Sequence, residues 1–165
     1  MTRTETGQAT HQPSVVTVRD SRGALAASVC PRRGGELSSL ALDLGEDFVE
    51  LLYRGNDFSA VAAGEWRGRA PWLWPAAGRC YVDEDAARIG TPDFDRDACT
   101  WRCGGEKLPM RHHGFAKDAV WRADATDDPA QIHLRFVSDG RHHDVYPFDF
   151  VLRSETAATP RGVTM

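Results

Sequence analysis

A chain of 165 residues with 41% hydrophobic and 27% charged side chains is long enough for one domain with a hydrophobic core, and its composition excludes wholesale disorder. The formal net charge of −4 excludes a phosphate-tracking basic surface, because the Arg residues are interspersed with Asp and Glu, so no nucleic-acid partner is expected. No stretch approaches the roughly 20 apolar residues that span a bilayer, so no membrane partner is expected either.

Residues 1–13 are polar, lack the apolar centre of a secretory signal, and read as a disordered N-terminal extension; the default location is cytoplasmic. Val15 to Val18 is a β-branched run that predicts a strand. The turn-forming Asp20-Ser21-Arg22-Gly23 follows, and Ala24 to Cys30 returns as a second strand. In Glu36 to Leu42 the apolar positions alternate as in a strand. Leu37, Leu40, Leu44, Phe48 and Leu51 also fit a helical stripe. Gly45 weakens the helix, and strand, turn, strand is the favoured reading.

Residues 64–97 are rich in Gly, Pro, Trp and Asp and predict long irregular connections carrying aromatics. Strands are expected again at Ala119 to Ala123, at Ile132 to Phe136, whose apolar residues are two apart and share a sheet face, and from Tyr146 to Leu152, with Pro147 near the start. His142 and His143 read as part of an exposed connection with no role. From Ser154 to Met165 the sequence is small, polar and patternless and predicts an irregular tail. The sum is an all-β fold over residues 14–153, with residues 154–165 outside it.

Three blocks occur in order: Gly34-Gly35-Glu36-Leu37-Ser38-Ser39-Leu40; then Trp66-Arg67-Gly68-Arg69-Ala70-Pro71-Trp72-Leu73-Trp74-Pro75-Ala76-Ala77-Gly78-Arg79; then His113-Gly114-Phe115-Ala116-Lys117-Asp118 with Trp121 beyond. Tyr146-Pro147-Phe148-Asp149-Phe150 supports them. Together they resemble the N-terminal portion of the aldose 1-epimerase (galactose mutarotase-like) superfamily. The resemblance implies a galactose mutarotase-like β-sandwich, the supersandwich, cut short within this chain. A partial sandwich of that kind would leave sheet edges and apolar faces open to self-association.

The resemblance also implies the interconversion of α and β anomers of a hexose through ring opening, with no cofactor. That reaction needs a base for the C1 hydroxyl and an acid for the ring oxygen, and a His suits either role near neutrality. His113 matches the family's first active-site histidine and is the catalytic candidate here. The usual acid and base of the family lie downstream of the Tyr-Pro-Phe strand, beyond this chain. Arg79 matches an arginine that donates paired hydrogen bonds to sugar hydroxyls. Arg67 and Lys117 lie where the hexose-6-phosphate branch places cations for a phosphate, and His112 where that branch often has glutamine. Lys117 lacks the planar fork of the arginine usual there, which leaves free and phosphorylated hexoses both open. Trp72, Trp74 and Trp121 read first as core or pocket wall, with Trp74 also a candidate substrate contact, and Lys117 with Asp118 as a solvated polar pair.

Two other readings stand beside the enzyme. One is a vestigial carbohydrate-binding fragment that keeps Arg79 and His113 without the acid and base. The other is a zinc-stabilised β domain using Cys99 and Cys103 with His112 or His113. Adjacent residues on a strand face opposite sides, so only one of the two histidines would serve as a ligand.

Overall fold

A computed structural model describes residues 15–53 and 69–165; the expected N-terminal extension lies outside the described residues. The β-branched run forms β1 (Val16–Arg19), which turns into β2 (Leu25–Cys30). The turn is fastened by Asp20, whose carboxylate accepts hydrogen bonds from the backbone N–H of Leu25 at 2.7 Å and of Arg22 at 3.1 Å. These bonds, the Leu25 one foremost, hold its carboxyl below the usual range, because they favour the ionised form.

The ambiguous leucine stretch is strand, turn, strand: β3 (Glu36–Asp43) pairs antiparallel with β4 (Phe48–Glu50) around Gly45. A helical stripe would have buried Leu44, Phe48 and Leu51, yet all three are exposed. These strands complete a sheet in the order β1-β2-β3-β4. Beyond a single helical turn, α1 (Asp83–Ala86), a hairpin of β5 (Thr100–Cys103) and β6 (Glu106–Pro109) stands apart. The second sheet is β10-β9-β8-β7, built from β7 (Arg122–Asp124), β8 (Gln131–Val137), β9 (Val151–Thr159) and β10 (Gly162–Thr164). The sheets face one another through β1 and β2 against β8 and β9, and the core between them joins Val18, Ala27, Val29 and Leu37 to Ile132, Leu134, Phe136 and Ala158. No described helix is long and apolar enough to cross a membrane.

Three expectations are corrected. The expected strand at Ala119 to Ala123 begins only at Arg122, because the Trp121 N–H is committed to Pro31 O and Ala119 O to Gly34 N. Tyr146 to Phe150 is not strand. Its backbone turns, with Val145 N and Tyr146 N both donating to His142 O, and its rings pack on Trp74 and Trp101 instead. The tail from Ser154 is not irregular: β9 runs to Thr159 and β10 follows. Ser154, Thr156 and Ala158 are its buried positions. Ser154 lies opposite Leu134 and Thr156 opposite Ile132, so small side chains sit beside large ones and fill the layer together.

The three sequence blocks meet in space. Leu37 and Ala70 exchange backbone hydrogen bonds at 3.1 and 3.0 Å, joining the first block to the second. Gly34, at φ 66°, lies so close to Lys117 that a Cβ would fall 2.2 Å from its carbonyl oxygen, which joins the first to the third. Beneath them Glu36 is buried with its Oε1 3.0 Å from Arg69 Nε and 3.8 Å from Arg33 Nε. Burial pushes the Glu36 carboxyl up against the pull of Arg69 and Arg33.

Ending the chain at Arg153 removes β10 and the β9 residues opposite Gln131 to Leu134, so the shortened protein is expected to show no cooperative thermal transition by circular dichroism; a sharp one would contradict the placement of this strand. For Glu36 the folded pKa lies above the unfolded value. Its contribution to stability is therefore full below about 4.5 and declines as the pH rises through the folded value. Urea unfolding of the wild type and Glu36→Gln should give a stability difference, wild type minus variant, that falls with rising pH across that window. A difference that rises would mean that the attraction of Arg69 outweighs desolvation.

Candidate functional site

The site is built where the second and third blocks cross. The Trp74–Pro75 peptide bond is cis. The carbonyl of Trp74 accepts from Phe115 N at 2.9 Å and Ala116 N at 3.0 Å. Gly114, at φ 68°, passes so close that a Cβ would lie 2.1 Å from that same oxygen, a position only glycine fills. The indole of Trp74 is half-buried and packs edge-on to Phe115 and Tyr146 and at a tilt on Phe150, with centroids 5.5, 4.9 and 4.6 Å away. Trp74 is thus a wall behind the site, anchored at its ring and its backbone. Trp72 stacks on the buried Trp121, as expected of core aromatics.

His113 sits on this junction with φ 67°, outside any strand. Its backbone N–H donates to Gly78 O at 3.3 Å and its ring Nδ1 lies 2.8 Å from Ala77 O. A carbonyl oxygen only accepts, so Nδ1 carries a proton and Nε2 is left to exchange one with a ligand. The rings of His112 and His113 stack with centroids 3.7 Å apart. The expectation that adjacent histidines would face opposite sides is corrected by the left-handed backbone at His113, which brings both rings to one side. Burial lowers the His112 pKa first, and the charges of His113, Arg79 and Lys117 press the same way against the opposing charge of Asp97. With a reference value near 6.5, His112 is neutral at pH 7.

Arg79 follows Gly78 directly, so the bonds from His113 to Ala77 and Gly78 bring Arg79 alongside the histidine pair. Its Nε and Nη2 donate to Asp97 Oδ1 at 3.3 and 2.9 Å, and hydrogen bonding to Asp97 raises its pKa further. Lys117 lies near enough for its charge to act on His112, and its ammonium is 2.9 Å from Asp118, which also meets Arg111 at 3.5 Å. The structure therefore brings together His112, His113, Arg79, Lys117 and the wall residue Trp74. Arg67 lies outside the described residues.

Asp97 escaped the sequence reading because it stands in a run of scattered acids with no motif around it. His142 escaped as well. It is half-buried and stacks on Phe115 at 4.1 Å and 11°, so it supports the junction from behind. Nothing in a His-His pair between polar residues signals that. The zinc reading is corrected: no group of three or more His, Cys, Asp or Glu side chains among the described residues is arranged to hold a metal ion. Cys99 is buried beneath this surface, and Cys103 lies on the β5–β6 hairpin.

No family model matches the chain, and no curated protein does. Among solved structures it is similar to a galactose mutarotase-like protein from Lactobacillus casei, with a TM-score of 0.67 and 22% identity over 91% of this chain and 42% of that one. A Synechocystis protein gives 0.66 and 20% identity over 92% and 46%. A galactose mutarotase related enzyme from Lactobacillus acidophilus gives 0.64 and 18% over 88% and 39%. The chain thus spans less than half the length of the solved structures it matches. Within that span it is all-β and has the galactose mutarotase-like fold.

Proposed function

We propose that this chain carries the sugar-recognition part of an aldose 1-epimerase-like site and promotes the interconversion of α and β anomers of a hexose. The observation that carries the reading is the arrangement of His113. Its Nδ1 is bound to Ala77 O, its Nε2 is available, and Arg79 is fixed beside it by Asp97. A galactose mutarotase-like protein and a galactose mutarotase related enzyme share this fold, which supports a sugar substrate.

The chemistry follows from those groups. His113 accepts the C1 hydroxyl proton at Nε2 as the bond between C1 and the ring oxygen opens. Rotation about the C1–C2 bond then presents the other face of the aldehyde. As the ring closes, protonated His113 returns its proton to the C1 oxygen, which restores the hydroxyl. A second group must protonate the ring oxygen on opening and recover that proton on closure. The resemblance puts the family's usual acid and base both downstream of these residues; here His113 takes the base role itself and a downstream group serves as the acid. Arg79 donates to neighbouring hydroxyls and holds the ring in register. His112, neutral and stacked on His113, keeps a second positive charge from forming against the imidazolium.

Exchange between the anomers of glucose or galactose, followed by magnetisation-transfer NMR, should run faster with the protein than in buffer. His113→Ala should reduce the enhancement about 100-fold, the scale of a lost acid–base group. Sugar binding with a buffer-level exchange rate would reject catalysis by this chain.

A further inference from the structure

Asp97 belongs to no motif, yet its position is built. Its N–H donates to Asp95 Oδ1 at 2.8 Å, its carbonyl accepts from Cys99 N at 2.9 Å, and the next residue, Thr100, bonds back to Cys80 O at 2.8 Å. The loop carrying Asp97 is thereby laid along the segment carrying Arg79. Both hydrogen bonds from Arg79 land on a single oxygen, Oδ1. Oδ2 accepts no hydrogen bond among the described residues, on a side chain that is 76% exposed beside an Arg79 that is 35% exposed.

We infer that Asp97 is a specificity-determining residue of this site: it fixes Arg79 through Oδ1 and offers Oδ2 to a sugar hydroxyl, so that the pair reads two adjacent hydroxyls of an uncharged hexose. The inference rests on the hexose reading above. A guanidinium edge beside an open carboxylate oxygen presents a donor and an acceptor together. Each hydroxyl of a vicinal diol both donates and accepts, so the diol meets both partners. A phosphate offers only acceptors at neutral pH and would bring its charge against Asp97. The Lys117 ammonium is engaged by Asp118, a carboxylate it shares with Arg111, so the discrimination rests on Asp97. The site therefore discriminates by placing a repelling group against the phosphorylated form as well as an attracting one for the free sugar.

The test uses the full chain with glucose and glucose 6-phosphate, their binding followed by ligand-observed NMR, and the variants Asp97→Asn and Asp97→Glu. The wild type should bind glucose more tightly than glucose 6-phosphate. Asp97→Asn should bind glucose about tenfold more weakly, the scale of a lost charge-assisted hydrogen bond, with the preference narrowed or reversed, and Asp97→Glu should recover part of the loss. The Asp97 charge opposes the lowering of the His112 pKa by burial and by its cationic neighbours, so the His112 NMR midpoint should fall in Asp97→Asn, and an unchanged thermal midpoint of unfolding separates weaker glucose binding from damage to the fold. Glucose binding that ignores the substitution, or a wild type that prefers the phosphate, would overturn the inference and leave the hexose reading standing. Absence of binding by either sugar to the wild type would overturn that reading and this inference with it.

Discussion

The site depends on one acceptor, the carbonyl oxygen of Trp74. Two consecutive N–H groups, from Phe115 and Ala116, converge on it, and that convergence requires the chain at Gly114 to pass at a distance no side chain would permit. A carbonyl has room for two donors, and satisfying both at one point ties the irregular segment 69–79 to the segment 111–118 through a single isolated bridge in place of a strand ladder. The indole on the same residue is locked among Phe115, Tyr146 and Phe150. Backbone and side chain of a single residue thus fix the floor on which His113 stands.

The charges on that floor are paired: Arg79 with Asp97, and Lys117 with Asp118, a carboxylate shared with Arg111, while burial foremost lowers the His112 pKa. Exposed ion pairs of this kind contribute little to stability, about 0–1 kcal/mol, so their worth lies in orientation. A guanidinium anchored at Nε and Nη2 cannot swing, and a ligand meeting it loses less conformational freedom on binding.

Much of the sheet framework was legible because its signals are local. Val16 to Arg19 and Gln131 to Val137 carry their alternation in large apolar residues, and Gly45 correctly broke the false helical stripe from Leu37 to Leu51. Beyond Arg153 the same alternation persists in burial, but it is written in Ser154, Thr156 and Ala158, whose size is dictated by Leu134 and Ile132 across the sheet. No single-sequence pattern reports the volume of a partner that lies across the sheet, as Leu134 does from Ser154 and Ile132 from Thr156. Tyr146 to Phe150 failed in the opposite sense: a perfect strand alternation was overridden by aromatic packing on Trp74 and Trp101. At the site, His112 and His113 stack, and Arg79 and Lys117 lie near enough for their charges to act on His112. Asp97 and the stacking role of His142 arise from contacts across loops, which leave no periodicity.

That division has a physical origin in how the two kinds of region are held. A strand gets its register from a ladder of equivalent bonds, so substitutions that keep size and face are tolerated and the pattern survives as a pattern. The segments 69–79 and 111–118 are held by unlike, individually irreplaceable contacts: a glycine at positive φ, a doubly bonded carbonyl, and a histidine anchored to one backbone oxygen. Each works only at its own position, so the information lies in the identity of single residues and not in their spacing. For the same reason these segments, and not the sheets, can hold a pair of histidines and an arginine in a fixed mutual geometry. The sandwich supplies a rigid base, and the irregular crossing above it supplies the aim.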